Sequence, residues 1–248
     1  IVFLPIAYSR VKREWHMIKA NWPAVIVMAI TGVACFNTLV YIGVYYTTSI
    51  NASLMNSSTP IIIYILSFIF LKERLSKFQL IGTAISLAGV AFILSKGSLE
   101  TLLSFSFNKG DLIVLIAVFC WGIYSLLVKQ YAGRLPGYST FLVTIALGVM
   151  MLLPFTIYEL MTTSIEIVWS PSTIGAIVYV GIIASIVAFL SWNNGVVALG
   201  ANKASIYLNF IPLFATIFAV LFLDEDLLIA QVIGGLAVIC GVIIANKK

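Results

Sequence analysis

The sequence predicts an all-α integral membrane protein that contains one helical unit twice, in opposite orientations. Three observations lead to this prediction. Hydrophobic residues make up 62% of the chain and charged residues only 9%, whereas a typical soluble domain has about 25% charged residues. Long segments carry no charge at all. Two similar segments, separated by a constant distance along the chain, have loops of opposite charge.

The uncharged segments are long enough to cross a bilayer as helices. A spanning helix needs roughly 17–25 apolar residues, and it satisfies its own backbone hydrogen bonds in lipid. A membrane β-barrel would instead show short segments of alternating polarity, which this sequence lacks. We predict about eight full spans: Trp22–Tyr46, Ala52–Leu71, Phe78–Ser95, Leu112–Lys129, Tyr138–Tyr158, Thr173–Ala198, Lys203–Leu223 and Leu227–Ala245.

The repeat is visible in residues that match in order and in spacing. An alanine–serine pair, a proline and a Gln-x-x-Gly sequence occur in both copies: Ala52-Ser53, Pro60 and Gln79–Gly82 in the first, Ala204-Ser205, Pro212 and Gln231–Gly234 in the second. The offset is constant, because 212 − 60 and 234 − 82 both give 152. One unit has therefore been duplicated without a slip in register.

The charged loops give the predicted orientation of each copy. Lys72-Glu73-Arg74 in the first copy is basic, whereas its counterpart Asp224-Glu225-Asp226 is acidic. Short basic loops stay in the cytoplasm, so we predict that the first loop and the C-terminus are cytoplasmic and the second loop external. With a cytoplasmic loop at Ser9–Lys19, all basic residues except Lys96 and Lys109 fall on the cytoplasmic side. Inverted repeats of this kind are typical of secondary transporters.

The predicted domains follow from this arrangement. Residues 1–95 form the first repeat, residues 96–109 an external linker, and residues 110–248 the second repeat. The second repeat has five spans, whereas the first shows three together with Ile1–Ile6, which looks like the end of another helix. An odd number of spans per copy inverts the topology, so five plus five is expected. We therefore expect about 40 further residues, one span and most of another, before Ile1.

The chain offers no arrangement for catalysis, for a cofactor or for a metal ion. His16 is the only histidine, so neither a serine–histidine protease nor a zinc-peptidase motif can be built. The three cysteines lie in apolar spans without paired spacing and are interpreted as small hydrophobic residues. The basic residues beside the membrane account for the net charge of +5 and fit attraction to anionic lipid. We therefore predict a protein that is not an enzyme and does not bind nucleic acid.

Polar and aromatic side chains within the apolar spans are the candidate substrate-binding residues. Polar groups at membrane depth usually face a bundle interior or a water-filled cavity, and hydrogen bonds between helices are the alternative explanation. Transporters bind substrate near the midplane, where the repeats meet. The candidates are Asn56, Ser57, Trp121, Tyr124, Trp192, Asn193, Tyr207 and Asn209.

Prolines and glycines at equivalent positions lead to two further predictions. Proline removes a helical hydrogen bond and kinks the helix, so Pro60 and Pro212 are predicted hinges. Glycines seven residues apart lie on one helix face, where they let two helices approach closely. The predicted packing positions are Gly82, Gly89, Gly234 and Gly241.

The sequence resembles the drug/metabolite transporter superfamily, in its EamA-type ten-helix branch. The matching features are Pro60 followed by Phe70–Leu75 and Gln79–Gly82, the same order after Pro212, and Gly110-Asp111 with Trp121-Gly122 at the start of the second copy. The resemblance implies a central cavity between the two halves and alternating access. It also implies that the protein lies in the cytoplasmic membrane and exports a small molecule such as an amino acid, another metabolite or a drug.

Two other functions remain open at this point. Short relatives of this fold suggest a flippase for lipid-linked sugars, which would need a cavity that opens sideways to lipid. A membrane receptor or scaffold would instead show no transport. The sequence also leaves the substrate, the coupling ion and a homodimer open.

Overall fold

A computed structural model describes residues 2–104, 106–162, 169–222 and 226–247. These ranges contain helices and no strand. The helices are α1 Leu4–Ala20, α2 Trp22–Tyr46, α3 Ser49–Leu71, α4 Lys77–Leu94, α5 Leu99–Leu103, α6 Lys109–Gln130, α7 Gly137–Thr162, α8 Pro171–Leu199, α9 Ala201–Phe222 and α10 Ile229–Ala245.

The long helices confirm the prediction of an all-α, multi-pass membrane protein. Seven of those described, α2–α4 and α6–α9, are long and apolar enough to cross a membrane. Helix α10 is also apolar and has 17 residues, the lower end of the spanning range. The helices match the eight predicted spans, with ends that differ by a few residues. Large apolar side chains such as Phe68 and Phe155 are exposed on the outer surfaces of these helices, as contact with lipid requires.

The structure differs from the prediction in one loop and does not describe most of another. Residues 9–19, predicted as a cytoplasmic loop, continue the helix α1. One face of α1 packs on α7: Ala7 and Ile18 are fully buried, and the Ser139 hydroxyl donates a hydrogen bond to Glu14. The basic residues therefore lie on a packed helix. Residues 223–225, in the predicted acidic loop, lie outside the described residues.

Two spanning helices are interrupted at corresponding positions. Helix α3 is broken at Ser58, two residues before Pro60. Helix α9 passes through a 3₁₀ turn at Tyr207–Asn209, shortly before Pro212. Each proline lies in the first turn of the helix that follows the break, where its missing N–H leaves no hydrogen bond unmade. The hinge role of the two prolines stays a prediction.

Two other helices contain a wider, π-type segment. These segments are Ala29–Cys35 in α2 and Val180–Val187 in α8. They nearly coincide under the repeat offset, since Ala29 and Gly181 are 152 residues apart. Such segments are rare and often occur at functional sites. The inverted repeat stays a prediction, and matched irregularities of this kind are what a repeat would produce.

Helices α4 and α10 pack against each other through glycines. A Cβ atom on Gly82 would lie 2.4 Å from the Gly241 carbonyl oxygen, and one on Gly89 would lie 2.6 Å from the Gly234 carbonyl oxygen. Both distances are too short for any side chain, so the backbones approach closely only because these positions lack one. Residue numbers rise along α4 as those of the partners fall along α10, so the two helices are antiparallel.

Candidate functional site

A cavity of about 800 Å³ lies between α3, α4, α6, α8 and α9, within the size range of ligand pockets. Its wall is mainly apolar, with hydroxyl and amide groups at intervals. At one end it reaches Ile50, Lys96 and Gln231, which lie on the predicted external side. Five candidate residues line this cavity: Asn56, Ser57, Trp121, Trp192 and Tyr207.

An aromatic cluster holds the two tryptophans in place. The Trp121 ring lies 5.5 Å from the Trp192 ring and 4.6 Å from the Phe36 ring, within the range favoured by aromatic pairs. The Trp192 Nε1 donates a hydrogen bond of 3.1 Å to the Ser125 hydroxyl. That hydroxyl in turn donates to the Trp121 carbonyl oxygen at 2.8 Å. The orientation of Trp192 is therefore fixed by a neighbouring helix as well as by ring contacts.

Tyr124 and Asn193 lie behind the aromatic cluster instead of lining the large cavity. The Tyr124 hydroxyl donates a hydrogen bond of 2.9 Å to the Asn193 Oδ1, and both side chains are buried. The pair faces a smaller cavity of about 160 Å³ between α6, α7 and α8. Among the described residues, the buried Thr140 hydroxyl in the wall of this smaller cavity has no hydrogen-bond partner. These two candidates therefore connect α6 to α8 in this conformation.

Asn209 is also separated from the large cavity. It is fully buried in the 3₁₀ turn of α9, and its Nδ2 donates a hydrogen bond of 3.0 Å to the Ser86 hydroxyl of α4. The Asn209 Oδ1 has no hydrogen-bond partner in the described part of the chain. Asn209 therefore fixes the interrupted part of α9 against α4, and its role in binding stays a prediction.

The cavity wall also contains residues that were not predicted. Ser53 lies one helical turn before Ser57, and Phe189 and Ser191 lie close to Trp192 on α8. The helical period around Ser57 and Trp192 would have indicated Ser53 and Phe189, but not Ser191, which directly precedes Trp192 in the helix. Within the described ranges, Lys96 is the only charged residue in the wall, and no group of three or more His, Cys, Asp or Glu side chains could hold a metal ion.

Two polar clusters lie at the two ends of α6. At its start, the fully buried Asp111 accepts hydrogen bonds from the Thr47 hydroxyl and from the Asn51 Nδ2. At its end, Lys129 forms an ion pair with Glu73. Both clusters connect α6, in the predicted second repeat, to residues of the predicted first repeat.

The sequence matches the EamA-like transporter family over residues 1–95 and 108–247. It is 32% identical to the uncharacterized transporter YyaM of Bacillus subtilis, in an alignment that covers 92% of this chain and 74% of YyaM. An uncharacterized transporter of Archaeoglobus fulgidus is 27% identical, with 92% of this chain and 78% of that protein covered.

Two further similarities are more distant. A Streptantibioticus cattleyicolor protein named a probable terminal-alkyne amino-acid exporter is 24% identical, over 91% of this chain and 73% of that protein. A solved crystal structure with 21% sequence identity superimposes with a TM-score of 0.75, covering 91% of this chain and 76% of that chain. At this level of identity, the superposition shows a shared fold.

Proposed function

The chain belongs to the EamA-like transporter family, and from this premise we propose that it is a secondary transporter which exports a small metabolite or a drug across the cytoplasmic membrane by alternating access. The observation that carries the proposal is the cavity of about 800 Å³ between α3, α4, α6, α8 and α9. These helices come from both predicted repeats, and transporters bind substrate where their repeats meet.

The wall of the cavity suits a small solute with an apolar body and a polar group. Trp121 and Trp192 contribute aromatic surface to the wall, whereas Asn56 and Ser57 contribute an amide and a hydroxyl on the interrupted helix α3. An amino acid has this character, and the name of the Streptantibioticus cattleyicolor relative supports that class.

Matched structural features support alternating access. The antiparallel contact between α4 and α10 relates the two predicted repeats symmetrically, because Gly82 meets Gly241 as Gly234 meets Gly89. The interruptions of α3 and α9 also correspond. A pair of inverted units can exchange conformations, so that a cavity open to one side becomes open to the other.

Flux into proteoliposomes tests the proposal. The full-length protein is screened with amino acids, purines and cationic drugs, and saturable uptake of at least one is expected. Trp192→Ala removes an aromatic anchor and should lower uptake at low substrate concentration by about tenfold or more. Phe155→Ala, on the lipid-facing side of α7, is the matched control and should leave uptake unchanged. Absence of saturable flux for every solute, with a folded protein, would favour a receptor or scaffold.

A flippase for lipid-linked sugars is the second candidate, because one observation favours it. A cavity of about 460 Å³ with a mainly apolar wall lies between α2, α7 and α8. Its lining residues Ile177 and Val178 are exposed on α8, where lipid would lie. Transbilayer movement of a fluorescent lipid-linked sugar in the same proteoliposomes, without uptake of water-soluble solutes, would support this function over the first.

A further inference from the structure

A polar cluster lies on the predicted cytoplasmic side of the cavity, where the loop after α3, the end of α6 and the start of α9 meet. Its members are Ser67, Glu73, Lys129 and Asn202, which we call the Glu73 cluster. The Glu73 carboxylate forms an ion pair with the Lys129 ammonium group. It also accepts hydrogen bonds from the Ser67 hydroxyl at 3.0 Å and from the Asn202 Nδ2 at 3.1 Å. One carboxylate thus joins the loop after α3 to the end of α6 and the start of α9.

The loop presents this carboxylate in a defined position. Lys72 ends α3 in the left-handed conformation, with φ of 57°, which turns the chain sharply. The Glu73 N–H then donates to the Ser67 carbonyl oxygen at 3.3 Å. Glu73 is therefore held from its own side by Ser67, through main chain and side chain, whereas Lys129 and Asn202 approach from the other side.

An apolar layer separates the Glu73 cluster from the cavity. Ile63 and Leu66 of α3 are buried against Leu126 of α6, Val196 of α8 and Ala204 of α9. Ala204 also lines the inner end of the cavity. Between α3 and α6, solute in the cavity consequently meets a packed layer, and the Glu73 cluster lies beyond it at the predicted cytoplasmic end. Along α8 the cavity wall continues as far as Leu199.

We propose that the Glu73 cluster is a lock that keeps the cytoplasmic end of the transport pathway shut while the cavity is open to the outside. This inference rests on the proposed function. Opening that end requires α3 to separate from α6 and α9. The ion pair and the Asn202 hydrogen bond both cross this boundary, so they are lost when it opens. Side chains of Glu73 and Lys129 are 33% and 25% exposed, so the separated charges regain water and the lock can reopen.

Glu73→Gln tests the lock because glutamine keeps the shape and the acceptor oxygen but removes the charge that holds Lys129. The reporter is Ser191→Cys, a cavity residue of α8 that is exposed in this conformation, in full-length protein with the native cysteines replaced by alanine. Inside-out vesicles are labelled with an impermeant maleimide. We expect cytoplasmic labelling to become about tenfold faster, which corresponds to about 1.4 kcal/mol. Arg74→Gln, which removes an exposed charge from the same loop, should leave the rate unchanged.

An exchange of the two charges distinguishes loss of the ion pair from a general disturbance of the structure. Lys129→Gln should accelerate labelling as Glu73→Gln does, whereas the combination of Glu73→Lys with Lys129→Glu should return the rate toward that of the parent protein. If Glu73→Gln leaves cytoplasmic labelling unchanged, or if the exchanged pair labels as fast as the single variants, the lock is refuted. Labelling needs no substrate, so this result is independent of the flux measurement that tests the proposed function.

Discussion

Gly82→Ala is expected to destabilise the protein because it places a methyl group where two helix backbones touch. The added Cβ would lie 2.4 Å from the Gly241 carbonyl oxygen and 2.5 Å from the Ala245 nitrogen. Both are main-chain atoms, so no side-chain rotation can make room and α4 must move away from α10. Overpacking of this kind typically costs about 1–3 kcal/mol.

The helix itself would gain from the same substitution, so a control is needed. Alanine is favoured over glycine within a helix by about 1 kcal/mol. Gly175→Ala provides the matched control, because a Cβ on Gly175 of α8 meets nothing within 4 Å. We therefore expect Gly82→Ala to lower the free energy of unfolding by about 1–3 kcal/mol relative to Gly175→Ala.

The reciprocal position gives a second arm of this experiment. A Cβ on Gly241 would lie 2.5 Å from the Gly82 carbonyl oxygen, so Gly241→Ala should destabilise to a similar extent. The double substitution should cost less than the sum, since the first methyl group has already separated the helices. Unfolding is followed by denaturant titration in detergent micelles. If Gly82→Ala and Gly175→Ala unfold at the same point, the close approach of α4 and α10 is refuted.

Two other predictions concern topology and motion. Single cysteines at Ser76 and Leu228, in a background without native cysteines, should react with an impermeant maleimide from opposite sides of the membrane. The reason is that the inverted repeat puts their loops on opposite sides. Labelling of both cysteines from the same side would refute the inverted repeat. Pro60→Ala and Pro212→Ala should each insert normally but slow transport severalfold, since alanine supplies the N–H that lets the helix continue across the interruption and so favours one conformation. The two variants should shift cavity accessibility toward opposite sides. Wild-type flux with unchanged accessibility in both would show that the prolines only serve packing.

The sequence located the spanning helices well because their length and apolar character are local properties. Trp22–Tyr46 was predicted with the ends that the structure shows, since the charged Lys19 precedes the span and the polar run Thr47-Thr48-Ser49 follows it. The same reasoning failed for residues 9–19. A charged segment outside the bilayer can be loop or helix, and the packing of Ala7 and Ile18 on α7 decided for helix.

The candidate site was predictable only in part. Polar and aromatic residues in apolar helices can face a cavity or a neighbouring helix, and the sequence does not distinguish these cases. Asn56 and Trp192 line the cavity, whereas Asn209 bonds to Ser86 and Tyr124 to Asn193. The direction of each side chain depends on which helix lies beside it, which only the tertiary structure shows.

The sequence by itself determined that the chain crosses a membrane many times, because a bilayer sets a length and a polarity that any spanning segment must meet. It also indicated two related halves through a constant offset between matching residues. The tertiary structure alone decided which distant residues meet. Glu73, Lys129 and Asn202 lie far apart in the chain, yet one carboxylate joins them. Such contacts arise from the packing of helices in three dimensions, and no local pattern of polarity encodes them.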